Sequence, residues 1–193
     1  MGKDANVYLA NQASLGGYSG TSNNVVQWLS NAALQGGLWG SPTYWNGNVY
    51  FGGVYVGSAP ITSFSFDTVS TAMLSTSPTS VTGHSFQYQG PTSPVSSAGT
   101  SNGILWALEN SQWCTAESGG CGPTVLHAFD VTNLSTEFWN SSQNAGDGAG
   151  NAVKLTVPTV ANGKVYVGTR GNDTGSGGTS IPGELDVYGL KPN

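Results

Sequence analysis

Charge is scarce in this sequence. Only 8% of its 193 residues are Asp, Glu, Lys or Arg, and the net charge is −5. The five cations, Lys3, Lys154, Lys164, Arg170 and Lys191, are scattered along the chain. Neutralising a phosphate backbone takes clustered Lys and Arg, so nucleic acid is not an expected partner. Long hydrophobic runs are missing too, and no stretch approaches the roughly 20 apolar residues of a membrane-spanning helix. Apolar residues recur at helical spacing for no more than a turn or two, which excludes a helical protein. Residues 1–4, MGKD, lead straight into a strand-like stretch with no charged-then-apolar leader. An opening this abrupt is expected of a segment whose natural N-terminus lies upstream.

Motifs for covalent chemistry are also missing. There is no Gly-x-Ser-x-Gly elbow between a strand and a helix, no phosphate-cradling Gly-x-x-x-x-Gly-Lys-Ser/Thr and no His-Glu-x-x-His. The Gly-rich run 175–178 precedes no helix, so it is a poor phosphate loop. Cysteine occurs twice, as Cys114 and Cys121 within WCTAESGGCGP at residues 113–123. Two cysteines this close in a Gly-rich loop predict a local disulfide and an oxidising compartment. A zinc site is the alternative, but it needs two further ligands and no Cys-x-x-Cys spacing is present.

Against these absences stand 29 Gly, six Trp, eight Tyr and six Phe. The aromatics supply the apolar area that a disordered chain lacks, so the low charge does not mean disorder. The composition is that of a turn-rich β protein in one domain.

The strongest signal is repetition. SPTYWNGNVYFGG at 41–53 returns as VPTVANGKVYVGT at 157–169, and a looser copy lies between them, SPVSSA at 93–98 followed by NGILWAL at 102–108. Each copy reads as a strand, an Asn-Gly turn and an apolar strand, and Asn-Gly is the strongest short hairpin signal. The corresponding prolines, Pro42, Pro94 and Pro158, lie 52 and 64 residues apart. Four strand types follow in order. Type a covers 40–45, 92–97 and 155–161; type b covers 48–53, 103–109 and 164–170. Type c covers 6–11, 61–67, 125–130 and 184–190; type d covers 25–31, 71–77 and 136–142. The chain then reads c-d, a-b-c-d, a-b-c-d, a-b-c. This predicts an all-β fold, a partial β-propeller of four-stranded antiparallel blades, two full and two incomplete. Approximate blade boundaries are 1–35, 36–90, 91–150 and 151–193. Proline cannot donate to a ladder, so its place in type a fits an innermost strand facing a central channel.

These strands carry a family resemblance. ITSFSFD at 61–67, VLHAFD at 125–130 and GKDANVYLAN at 2–11 resemble the Ala-Leu-Asp strand of pyrroloquinoline-quinone-like propeller repeats, and VYVGT at 165–169 resembles the strand before it. The chain is similar to the C-terminal part of a quinoprotein-type propeller. The family's Thr-Gly-Lys and following Trp are poorly kept, since Asp130 runs into Val131, Thr132, Asn133 and Leu134. The resemblance implies a scaffold in the first place. A quinone stacked on Trp with Ca²⁺ held by Asp, Glu or Asn belongs only to the dehydrogenase members.

Loop lengths point to one face. The expected d-to-a loops are 32–39, 78–91 and 143–154, and the b-to-c loops are 54–60, 110–124 and 171–183. Long loops on one side of a rigid scaffold are where binding resides. Expected ligand contacts are Trp39, His84, Phe86, Tyr88 and Trp113. His84, in GHSFQYQG, is the candidate general base, with Glu109 and Glu117 as candidate carboxylates; a hydrogen-bonded structural role is the alternative, as it is for His127. Asp147, Asn151 and Asp173 are the oxygen ligands available for Ca²⁺, though none has calcium-loop spacing.

The expectation is therefore a non-catalytic, extracytoplasmic propeller scaffold that binds a small molecule or carbohydrate on its loop face, without a cofactor. The alternatives are a quinoprotein-like dehydrogenase remnant and a hydrolase of carbohydrate or ester using His84. Half a ring leaves raw sheet faces at both ends, so self-association into a homodimer is expected.

Overall fold

The computed structural model describes residues 4–22, 24–30, 37–113, 121–170 and 183–189. Its strands form four antiparallel sheets, each drawn from consecutive chain. Sheet 1 pairs β1 (Val7–Ala10) with β2 (Val25–Leu29). Sheet 2 is a meander of β3 (Thr43–Trp45), β4 (Asn48–Phe51), β5 (Val54–Ser65) and β6 (Ser80–Gln89). Sheet 3 repeats it with β7 (Val95–Ala98), β8 (Ser101–Glu109), β9 (Val125–Asp130) and β10 (Glu137–Asn140). Sheet 4 contains β11 (Thr159–Ala161), β12 (Lys164–Thr169) and β13 (Glu184–Gly189). Two strands, four, four and three: the order and number of strands in each sheet match the reading of the repeats.

The turns explain why this sequence makes hairpins. Trp45 pairs with Asn48 and Ala161 with Lys164, which leaves two-residue loops. Both loop residues have positive φ in each case, 44° and 75° at Asn46 and Gly47, 50° and 70° at Asn162 and Gly163. That is the primed turn whose twist matches its flanking strands, and Asn and Gly tolerate it best. The middle copy differs from expectation. Ala98 pairs with Ser101, so the turn there is Gly99 and Thr100, and the Asn102-Gly103 pair lies inside β8.

Sheets stack on one another through both faces. Successive strand residues point to opposite sides, so a sheet buried on both sides reads as a continuous apolar run. In β4, Tyr50 packs toward sheet 3 with Ile61, Phe86, Leu105, Phe129 and Leu134. Its neighbour Phe51 packs toward sheet 1 with Val7, Leu29, Phe64 and Leu74. In β8, Leu105 and Ala107 face sheet 2, while Trp106 and Leu108 face Val165 and Val167 of sheet 4. Repeat-equivalent residues thus take equivalent faces: Val49, Leu105 and Val165 point to the preceding sheet, and Tyr50, Trp106 and Tyr166 point away from it.

Three sequence expectations are corrected. Residues 71–77 are not the outer strand of sheet 2. They form a turn and a single bridge, Leu74 to Phe66. The Asp67 carboxylate organises it, accepting from the amides of Val69, Ser70 and Thr71 and from the hydroxyls of Ser70 and Thr71. These donors hold the Asp67 carboxyl well below its usual range, with the Ser70 hydroxyl contributing most. The true outer strand is β6, within the segment 78–91 expected to be loop. Its partner β5 likewise absorbs the expected loop 54–60. The register of the pair slips between Pro60 and Thr62, where Pro60 offers no amide. The neighbouring Ile61 amide is satisfied instead by the Thr82 hydroxyl at 2.9 Å.

Candidate ligand-binding site

Strand β6 sorts its side chains by alternation. Thr82 and Phe86 are buried, His84 and Tyr88 half-buried, and Val81, Gly83, Ser85 and Gln87 exposed. His84, Phe86 and Tyr88 therefore share the face toward sheet 3. They do not share one environment, and two clusters result.

The first lies where the first strands of sheets 2, 3 and 4 begin. Gly40, Thr92 and Thr156 each precede a repeat proline by two residues, and all three line one cleft. Gln87, Gln89, Asn110 and Leu155 complete its wall. Around it stand aromatic rings. Trp39 meets Tyr88 edge-on at 5.7 Å between centroids. The Lys154 ammonium lies 4.6 Å from the centre of the Trp113 ring and 5.5 Å from that of Tyr88. A cation over an aromatic face is attracted by the ring quadrupole. Lys154 has no carboxylate partner among the described residues. Polar groups are fixed here by the backbone: Gln89 Oε1 accepts from the Leu155 amide at 2.8 Å, and Asn110 Nδ2 donates to the Thr156 carbonyl at 3.4 Å. Gln89 Nε2 is buried with no hydrogen-bond partner among the described residues. The cleft itself measures about 20 Å³, room for one water and not for an organic ligand. The rim of aromatic rings and amides, not the cleft, is the surface at this end large enough for an organic molecule.

The second cluster lies in the seam between sheets 2 and 3. The His84 and His127 imidazoles stack at 4.5 Å between centroids and 30° between planes. Phe86 meets both rings edge-on, and Phe129 stacks on His127. A carboxylate stands at each end of the pair. His127 Nδ1 is 2.6 Å from Glu137 Oε1, and His84 Nε2 is 3.5 Å from Glu109 Oε2. Glu109 is held in turn by the Ser111 and Gln87 amides. Burial pushes the His127 pKa down, opposed by its bond to Glu137. Neutral His127 donating from Nδ1 to Glu137 leaves a bare Nε2, which is the atom found buried without a partner. A carboxylate beside an imidazole can orient a general base, and His84 and Glu109 are the pair expected to do so. No hydroxyl or thiol is hydrogen-bonded to either imidazole among the described residues.

The expected site residues thus divide. Trp39, Tyr88 and Trp113 come together at the loop end, joined by Lys154, which no motif singles out. Phe86 is 1% exposed and belongs to the core, so it is corrected as a ligand contact. His84 is corrected from loop to strand. Asp147 sits in a short 3₁₀ turn (Ala145–Asp147), accepting from Asn144 Nδ2 at 3.0 Å. Asn151 is buried in a bridge with Pro123. Glu117, Asp173 and Cys114 lie outside the described residues, and with Cys114 the expected bridge to Cys121. Among the described residues no three His, Cys, Asp or Glu side chains converge as a metal requires. A quinone with its calcium does not fit the described residues at this end: the cleft is too small, and Glu109 is engaged by backbone amides.

No family model matches the chain, and no curated protein or solved structure shows significant similarity to it.

Proposed function

We propose that the chain is a non-catalytic binding module, part of a β-propeller, that takes a small polar ligand of the carbohydrate class on the rim formed by Trp39, Tyr88, Trp113 and Lys154. The observation that supports this most is convergence. Segments far apart in sequence bring three aromatic rings, the Lys154 ammonium and the amides of Gln87, Gln89 and Asn110 to the end where the first strands of three successive sheets start. Aromatic faces stack on the apolar face of a sugar, and planar amides bond its hydroxyls. The Lys154 ammonium, which has no carboxylate partner among the described residues, favours a sugar that carries a carboxylate.

The test is calorimetric titration with neutral and uronate-bearing oligosaccharides, on the wild type and on Trp113→Ala and Lys154→Ala. Saturable binding that weakens in Trp113→Ala supports the reading, and loss of the uronate preference in Lys154→Ala supports the role of the cation. Undiminished binding in Trp113→Ala contradicts it.

Self-association is the second part of the proposal. The outer face of sheet 1 leaves Val26 and Trp28 exposed, and the outer face of sheet 4 leaves Leu185 and Val187 exposed. A second copy that continues the stacking would cover both pairs at once. Light scattering at micromolar concentration should give a dimeric mass for the wild type and a monomeric one for Leu185→Lys. A monomeric wild type would reject this part alone.

A further inference from the structure

The turn that carries Lys154 is held in a conformation its own residues do not favour. The Thr156 amide closes it on the Val153 carbonyl at 3.3 Å, with Lys154 and Leu155 in the middle. Leu155 has φ 64°, in the left-handed region. A turn with that geometry at its third residue calls for Gly or Asn, because a larger side chain there crowds the backbone. The entrance to sheet 3 follows that rule: its left-handed residue, just ahead of Thr92, is Gly90 at φ 70°. The entrance to sheet 4 uses leucine. Core packing does not account for the choice, since Leu155 is 57% exposed.

Two side-chain amides hold the turn. Gln89, buried at the end of β6, accepts from the Leu155 amide through Oε1 at 2.8 Å. Asn110 donates from Nδ2 to the Thr156 carbonyl at 3.4 Å, and its own Oδ1 accepts from the buried Thr124 hydroxyl. A strained residue persists only where its surroundings over-determine it, and such residues collect at binding sites. The neighbour placed by this one is Lys154, whose ammonium lies over the Trp113 and Tyr88 rings.

We infer that Gln89 is a positioning residue of the rim: its hold on the Leu155 amide locks the left-handed turn that lays Lys154 over Trp113 and Tyr88, and so sets the preference for a sugar that carries a carboxylate. Asn110 secures the far side of the turn. The consequence for the ligand rests on the carbohydrate reading, whereas the placement of Lys154 does not.

NMR tests the placement with no ligand present. In the wild type, ring currents should shift the Lys154 ε-methylene protons upfield, and Trp113→Ala should remove most of that shift. Gln89→Leu, which deletes the acceptor and keeps the bulk, should remove it as well. Two variants at exposed Leu155 repeat the test without touching the core. Leu155→Gly adopts φ near 64° freely and should keep the shift, whereas β-branched Leu155→Val is strained there and should lose it. Calorimetry with uronate-bearing and neutral oligosaccharides tests the consequence. The uronate preference should fall at least about fivefold in Gln89→Leu, with the neutral affinity changed less than about twofold. A shift retained in Gln89→Leu, or in Leu155→Val should Gln89→Leu fail to fold, overturns the inference, as does its absence from the wild type. An equal fall in both affinities makes Gln89 merely structural and also overturns it, as does a preference that survives loss of the shift. A wild type that binds no oligosaccharide refutes the carbohydrate reading, while loss of the shift in Gln89→Leu still upholds the placement of Lys154.

Discussion

The seam between sheets 2 and 3 and the seam between sheets 1 and 2 use the same repeat positions with different outcomes. In the former, four strands face four strands, and the core runs without a gap from Trp45 and Tyr50 to Phe129 and Leu134. In the latter, only β1 and β2 among the described residues face sheet 2, and the inner half is hollow. Leu105 and Val49 hold the same place in the repeat, yet one is fully buried and the other is not. Burial is thus set by what the preceding sheet contributes, not by the residue or its strand.

Three substitution pairs would break or sharpen this contrast. The largest effect is expected at Leu105. Leu105→Ala should cost about 2–5 kcal/mol by urea unfolding, because the surrounding core cannot collapse onto the void. Val49→Ala should cost about 1 kcal/mol or less, since its side chain already borders a cavity. Equal losses would mean that the two seams are equally closed.

Tyr50 comes next. Its hydroxyl crosses the seam to donate to the Val131 carbonyl at 3.0 Å, and burial pushes its pKa up to about 12. Tyr50→Phe leaves that carbonyl unsatisfied and should cost about 1–3 kcal/mol. The equivalent Tyr166→Phe, on a sheet face that no further sheet covers among the described residues, should stay within about 0.5 kcal/mol. A matching loss at Tyr166 would place that hydroxyl in a buried bond.

The smallest effect concerns pH. His127 faces His84 on β6, Glu109 on β8 and Glu137 on β10. Its folded-state pKa lies below the ordinary 6.5, so the unfolded chain binds the proton more tightly. The contribution is fully present above about pH 6.5 and is lost as pH falls below it toward the folded value. The melting temperature should drop between pH 7 and pH 5, and His127→Gln should flatten that drop. An unchanged profile in the variant would assign the acid sensitivity elsewhere.

Much of this architecture was legible in the sequence because turn chemistry and alternation agreed. Asn46-Gly47 and Asn162-Gly163 mark their hairpins, and the run from Val49 to Phe51 is apolar because both its faces pack against neighbouring sheets. Strand β6 escaped because Ser80–Gln89 is polar on its exposed face and follows Pro78. Its inward residues Thr82, His84, Phe86 and Tyr88 nevertheless alternate in register, and that was the available signal. Residues 71–77 misled in the other direction. Their strand-like composition is overridden by Asp67, whose carboxylate gathers five local donors into a turn. The loop-end site was half legible. Trp39, Tyr88 and Trp113 stood out as aromatics beside expected loops, whereas Lys154 reaches them only through folding. The His84–His127 stack was not legible, because its register is set by pairing across sheets.

The central claim is that, among the described residues, the first seam has no inner pair of strands of the kind that closes the others. Amide hydrogen exchange tests it most directly, comparing β1 with β9 in this chain. The account predicts fast exchange at the inner-edge amides of Val7–Ala10, with the amides of Val125–Asp130 protected. Protection of that β1 edge equal to that of β9 would contradict it.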